Sequence, residues 1–295
     1  MDPSCPDREH ATGYVPLDAR GFRLAMGLRP LELSSWLEFE PDGDEQIALK
    51  KGLLATNYGD VVALRDQSHR AYDELLGEIV SNLEQFHPDR LRTFDAHEHP
   101  LIAASTLVAE DLCVMVHEND QWVLAGAVVC FPSRWALSDK IGTSLDHIHA
   151  PVPGYDSVLG APTRSFFDRL SPQRSFWRLN WTLLDDATLF QPVGARRWFD
   201  EDPLNWQFRV ERQTLRSLER CAAAIFTIRT TVRPATQLVR SDVNFASNVL
   251  NFLRTAPPET LSYKGWQGLA ERWERWFADE IKSSRTDPSP EPFPS

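Results

Sequence analysis

The hydrophobic period of the chain changes at Glu110, and that change limits the folds open to it. Before it, Tyr72, Leu75, Leu76, Ile79 and Leu83 recur at three and four, which predicts a helix over residues 68–86 with Ser68 as its cap. After it the period is two. Residues 112–117 and 122–130 flank the turn-like Glu118-Asn119-Asp120-Gln121 and predict a hairpin. Alternation returns at 175–184, 206–215 and 223–232. A helical crossover fills the gap, with a further helical turn expected near 165–170. Two strands, a crossover and three strands predict an α+β fold, a five-stranded antiparallel sheet with helices covering one face.

Flanking segments extend this core. Residues 45–54 predict a short helix with a cationic Lys50-Lys51 end. Residues 241–253 and 266–281 predict two more, the second with Trp266, Leu269, Trp273, Trp276, Phe277 and Ile281 in one apolar stripe that packs on the domain or on a partner. Residues 1–20 read as an extended arm and 285–295 (RTDPSPEPFPS) as a disordered tail. A single domain over 21–284 is expected, with its sheet core at about 108–235.

Composition narrows the class. The formal net charge of −11 speaks against nucleic acid or an anionic membrane as partner. The four cysteines, Cys5, Cys113, Cys130 and Cys221, form no Cys-x-x-Cys pair, which argues against a zinc ribbon or an iron–sulfur cluster held by this chain alone. The first residues, MDPSCPDREH, carry no apolar signal segment, and the longest apolar run, 123–131, is far too short to span a bilayer. A cytoplasmic, reducing location is expected. Ten tryptophans and sixteen phenylalanines suit either a wide pocket or simply a core.

The crossover stretch FPSRWALSDKIGTSLDHIHAPVPGY, residues 131–155, contains one short helical segment ending in His147-Ile148-His149 before Pro151 and Pro153. At 100° per residue His149 shares a face with Gly142, Leu145 and Ile148, while His147 points away. A histidine on the apolar face of a helix end suits an axial ligand of haem iron; a core histidine with a satisfied hydrogen bond is the alternative.

The order of strands and crossover is that of the PAS sensor domain. Eight blocks, Glu110-Asp111-Leu112, Phe131-Pro132-Ser133-Arg134-Trp135, Lys140-Ile141-Gly142, Ile148-His149-Ala150-Pro151-Val152-Pro153, Arg178-Leu179-Asn180-Trp181, Glu211-Arg212-Gln213-Thr214-Leu215, Phe226-Thr227-Ile228-Arg229-Thr230 and Tyr263-Lys264-Gly265, resemble the haem-dependent oxidative N-demethylase family over roughly residues 20–275. Leu218-Glu219-Arg220 and Thr231 depart from its usual Leu-Pro turn and tyrosine. The resemblance implies a haem b-binding PAS fold and oxidation of dimethylamine or a similar small secondary amine. It also implies electrons drawn from NADPH through partner subunits holding flavin, an iron–sulfur cluster and tetrahydrofolate.

Carried onto this chain, the resemblance makes His149 the axial ligand, with His147 the alternative, and a carbonyl near the Pro151 turn as the group fixing its tautomer. Arg229 is the expected catalytic distal donor; a surface arginine, or one paired with Glu211, is the other reading. Arg134 and Lys140 are expected to hold the haem propionates or to be solvated charges. Arg178, Asn180 and Glu211 are the expected substrate set, Arg178 and Asn180 meeting substrate or the haem edge. Their strand neighbours Trp177 and Trp181 are equally able to be the inward set, since alternation groups residues without saying which way they point. Three other functions compete: a haem-based gas or redox sensor, a haem-free metalloprotein using His97/His99 and His147/His149, and a PAS scaffold that only binds partners.

Overall fold

The computed structural model describes residues 14–192, 205–242, 244–266, 271–272, 274–276 and 278–279. In chain order the elements are β1 (Arg29–Leu31), α1 (Gly43–Thr56), α2 (Tyr58–Val61), β2 (Val62–Leu64), α3 (His69–Phe86), α4 (Pro100–Ser105), β3 (Asp111–Glu118), β4 (Gln121–Val128), α5 (Leu145–His149), α6 (Ala161–Asp168), β5 (Ser175–Leu184), β6 (Gln207–Ser217), β7 (Ala223–Pro234), α7 (Ala235–Ser241), α8 (Phe245–Thr255) and α9 (Pro258–Tyr263). The strands form one antiparallel sheet in the order β1-β5-β6-β7-β3-β4-β2. All five expected strands are present and contiguous. The sheet has seven strands, however, because the N-terminal segment adds β1 and β2 at its two margins. Three residues each are too few to display an alternating pattern, so neither was legible.

Directly paired residues in antiparallel strands share a face. Pairing of Arg178 with Gln213, Asn180 with Glu211, and Phe226 with both Leu215 and Cys113 defines one face. Trp181 with Val210, and Arg212 with Arg229, define the other. Helices lie on both faces, not on one as expected. α1, α3 and α4 pack over Val114 and Ile225 on the second face, and α7 and α8 over Trp181, Phe208 and Val210. α5 and α6 cover part of the first face through Leu145 and Phe167, against Cys113, Met115, Leu215 and Ala224.

Local chemistry explains the boundaries. α3 buries Tyr72, Leu75, Ile79 and Leu83 completely, as its spacing predicts. Ser68 stands at its N-cap position without a side-chain capping bond, because a 3-10 turn at Asp66–Ser68 leads into the helix and buries the serine. Gly126 of β4 lies under the Tyr72 ring, where a Cβ would fall 2.4 Å from its hydroxyl, and that hydroxyl donates to Ala125 O at 2.7 Å. The β3–β4 hairpin turns through Asn119 and Asp120, both with positive φ, the residue types that tolerate it. The helix expected over 241–253 is α8 and starts later, at Phe245, since Asp242 leaves the helical region and accepts a bond from Asn244 N at 2.9 Å; α7, ending at Ser241, precedes it. Lys50 is no solvated helix end. It is fully buried and donates to Val108 O at 3.2 Å and to Glu110 O. Of the stripe expected over 266–281, Trp266 is buried and Trp276 packs on Trp206 at 5.4 Å; Leu269, Trp273, Phe277 and Ile281 lie outside the described residues, as do the tail and residues 1–13 of the arm. Among the described residues no helix is long and apolar enough to cross a membrane.

Asp111 ties the sheet to the crossover. Fully buried, it accepts from Cys130 N at 2.8 Å and Phe131 N at 2.9 Å, while Arg209, also fully buried, donates to Phe131 O. Burial pushes the Asp111 carboxyl up from 3.8 to about 6, against the opposing pull of Lys50 and the two backbone donors. The folded protein therefore holds this proton more tightly than the unfolded chain. Its stabilising contribution is complete below pH 3.8 and is lost as pH rises to about 6, by on the order of 3 kcal/mol. Asp111→Asn offers one acceptor where two are needed, so it is expected to lower stability by about 1–3 kcal/mol at neutral pH. It should also flatten the decline between pH 4 and pH 6. Urea unfolding of both proteins across that range checks this; parallel pH profiles would contradict it.

Candidate functional site at the crossover histidine

α5 is only five residues long, begun by Ser144, whose hydroxyl accepts from His147 N at 3.3 Å, and anchored in the core by Leu145. Gly142 has φ +73 and lies in the turn before the helix, not on its face as the helical projection placed it. His149, the last helical residue, turns back along its own helix. Its Nδ1 lies 2.8 Å from Leu145 O, so the acceptor that fixes the ring is one turn before it, not at the Pro151 corner. Tyr155 is stacked on the imidazole at 5.0 Å and 15° between planes, and its hydroxyl donates to Asp146 Oδ1 at 3.1 Å. Asp146 is held in turn by Arg164 at 2.6 Å.

A carbonyl oxygen can only accept, so the proton of the neutral ring sits on Nδ1 and Nε2 carries a bare lone pair. Burial pushes the His149 pKa below 6.5. The Leu145 bond resists that shift, Arg178 and Lys140 reinforce it, and Asp146 opposes it. His149 is therefore neutral at pH 7, half-buried, and presents one unprotonated nitrogen, which among the described residues has no hydrogen-bond partner. His147 is exposed and lines a different, polar cleft of about 510 Å³ with Arg65, Glu118 and Gln121, to which His149 does not contribute. The donor chemistry, rather than the size of that cleft, locates the candidate site.

Arg178, Asn180 and Glu211 share the crossover face, and the charge of Arg178 adds to the lowering of the His149 pKa. Glu211 is the hub. Its Oε2 accepts from Asn180 Nδ2 at 3.2 Å and Gln213 Nε2 at 3.0 Å, and its Oε1 lies 3.6 Å from Arg209 Nε. Trp177 and Trp181 belong to the opposite face.

Arg229 does not join them. It is on the far face, 1 % exposed, donating to Asp42 Oδ1 at 2.5 Å, to Gln46 Oε1 and to Thr230 O at 3.0 Å, so neither a distal donor at His149 nor a Glu211 partner fits this placement. Arg134, with φ +62, spends its guanidinium on Asp185 at 2.7 Å and Gln191 at 3.2 Å. Lys140 donates to Ile148 O at 3.2 Å, at the C-terminal end of α5, and acts on His149. His99 accepts from Leu101 N at 3.3 Å at the start of α4. Among the described residues no three His, Cys, Asp or Glu side chains are grouped to hold an ion, so the two His-x-His pairs do not make a metal centre there.

Sequence reasoning missed the Leu145 carbonyl, Tyr155, Gln213 and Lys264. Lys264 was visible inside Tyr263-Lys264-Gly265, but nothing in a sequence ties it to Trp181 O, to which it donates at 2.8 Å while lying over the Trp181 and Trp266 rings at 5.2 Å and 5.3 Å.

An α+β protein with helices on both faces of its sheet and a neutral, preset imidazole beside a polar strand face is the class defined so far. The family description "haem-dependent oxidative N-demethylase, alpha subunit-like" matches residues 27–273, and the chain belongs to that family. Comparison with curated proteins gives no match.

The tautomer is directly measurable. Nitrogen-15 NMR of the imidazoles at pH 6.5 is expected to show His149 neutral with its proton on Nδ1. A charged ring, or a proton on Nε2, would contradict the site as described.

Proposed function

We propose that this chain is the haem-binding, substrate-oxidising subunit of an amine N-demethylase, an oxidoreductase acting on a small secondary amine such as dimethylamine. The observation that carries this reading is the His149 Nδ1 contact to Leu145 O at 2.8 Å, which leaves Nε2 free to ligate. Holding the second nitrogen in this way both fixes the ring and raises its basicity as a ligand. Family membership supports the reaction type. The order hairpin, crossover, three strands supports a PAS-like reading of the core at about 108–235.

The residues present fit a haem. His149 offers the axial nitrogen, Tyr155 packs along its imidazole, and Lys140 lies close enough to influence the ring. When bound, haem supplies the iron for oxidation at the methyl carbon of the amine. Asn180 and Glu211 are the polar pair offered to the substrate: a carboxylate for a protonated nitrogen and an amide that can donate or accept. Electrons are assigned to a reductase partner, with NADPH, flavin, an iron–sulfur cluster and folate placed on other subunits. The dispersion of Cys113, Cys130 and Cys221 over β3, the end of β4 and the β6–β7 connection supports that division, as does the description of the family as an alpha subunit.

Purified chain reconstituted with haem is expected to show a Soret band near ~400 nm with an imidazole-ligated signature, lost in His149→Ala and retained in His147→Ala. Dimethylamine is expected to perturb that spectrum. Glu211→Gln should weaken the amine effect about tenfold or more while the ligand signature remains. A chain that takes up no haem, or a His149→Ala variant with an unchanged spectrum, would remove the reading.

A further inference from the structure

In the three long strands β5, β6 and β7, the arginine side chains other than Arg178 are bonded within the chain. Arg209 donates to Leu189 O and Phe131 O, Arg212 bonds Ser35 O, Trp36 O and Glu38, Arg216 pairs with Glu78, and Arg229 with Asp42. Arg178 differs. It shares a sealed, unbonded Nε with those four, but among the described residues its terminal nitrogens, unlike theirs, have no hydrogen-bond or ion-pair partner. Glu211 acts on it only at a distance, and burial lowers the tendency of Arg178 to stay charged. Arg178 is half-buried, so an acceptor from outside the chain can reach its terminal nitrogens.

The second cation stands across the Asn180–Glu211 pair. Lys264 reaches the margin of β5 just beyond Asn180, where its one hydrogen bond among the described residues goes to Trp181 O. Burial lowers its pKa to about 8, with Glu211 opposing. Glu211 is already shared among Asn180, Gln213 and Arg209 and cannot neutralise two more cations. Arg178 on this strand face and Lys264 at its margin, over the Trp181 and Trp266 rings, are thus two cations that Glu211 does not pair with.

We propose that Arg178 and Lys264, on either side of the Asn180–Glu211 pair, form a carboxylate-binding site that takes the propionates of the haem. This rests on the haem reading of the same face. It transfers to them the role that Arg134, occupied by Asp185 and Gln191, is not free to play. It also removes Arg178 from the substrate set. An arginine gives a carboxylate a bidentate partner, whereas the lysine contributes a single charge.

The experiment compares haem with haem dimethyl ester on the full chain, reading release of each porphyrin into an excess of apomyoglobin. The ester is expected to leave the unaltered chain about tenfold faster or more. In Arg178→Met/Lys264→Met the two porphyrins should leave at similar rates, while the imidazole signature of His149 persists. Arg178→Lys and Lys264→Arg, which keep the charge, should retain most of the discrimination. Equal release of both porphyrins from the unaltered chain, or undiminished discrimination in the double variant, would overturn the inference and leave the haem reading standing. Uptake of neither porphyrin would instead remove the haem reading, and the inference with it.

Discussion

The backbone of Phe131 is held by buried charge at both its N–H and its carbonyl, and the position of the whole crossover follows from it. Asp111 takes the N–H groups of Cys130 and Phe131, and Arg209 takes the Phe131 carbonyl. One clamp residue lies at the start of β3 and the other in β6, so the grip needs the sheet assembled before it can form. Buried ionised groups are costly unless each is bonded, and here each spends itself on backbone that would otherwise be unsatisfied. The chain leaving β4 is thereby launched over one chosen face, where α5 packs through Leu145 and ends at His149.

The two faces of the sheet treat charge in opposite ways. On the face under α1 and α3, Arg212, Arg229 and Arg216 are matched by Glu38, Asp42 and Glu78, and the helices seal over them. Such pairs fix which helix sits where more than they add stability. On the crossover face Asp111 and Arg209 are fully buried and bonded to backbone, Glu211 is shared by Asn180, Gln213 and Arg209, and Arg178 and Asn180 stay half-buried or exposed. The first face is finished by the chain itself. The second keeps Asn180 exposed and leaves Arg178 half-buried, with no hydrogen-bond partner among the described residues.

How much of this could be seen in the sequence depended on length and on direction. β5, β6 and β7 are 10 to 12 residues long and alternate throughout, so they were legible, whereas β1 and β2, at three residues, were not. Alternation also placed Arg178 with Asn180, and the structure keeps them together. It could not say that Arg229, two strands away, pointed to the opposite side; that depends on register, which no single strand encodes. His149 was legible as the inward member of its pair because helical rotation separates residues two apart. Its acceptor was not, because a carbonyl belongs to backbone geometry and any residue at position 145 would supply one. Lys264 is more than 80 residues from Trp181 in sequence, a contact that only the tertiary fold creates.

The margins of the sheet deserve a last consequence. β1 and β2 are three residues each, and where β1 stops covering β5 the freed carbonyls of Trp181 and Leu183 are taken by Lys264 Nζ and Trp266 Nε1, at 2.8 Å and 3.3 Å. Among the described residues a neighbouring polypeptide therefore meets no long open ladder on which to zip itself. Any protein that docks on these margins would have to recognise them through side chains laid against side chains rather than by extending the sheet.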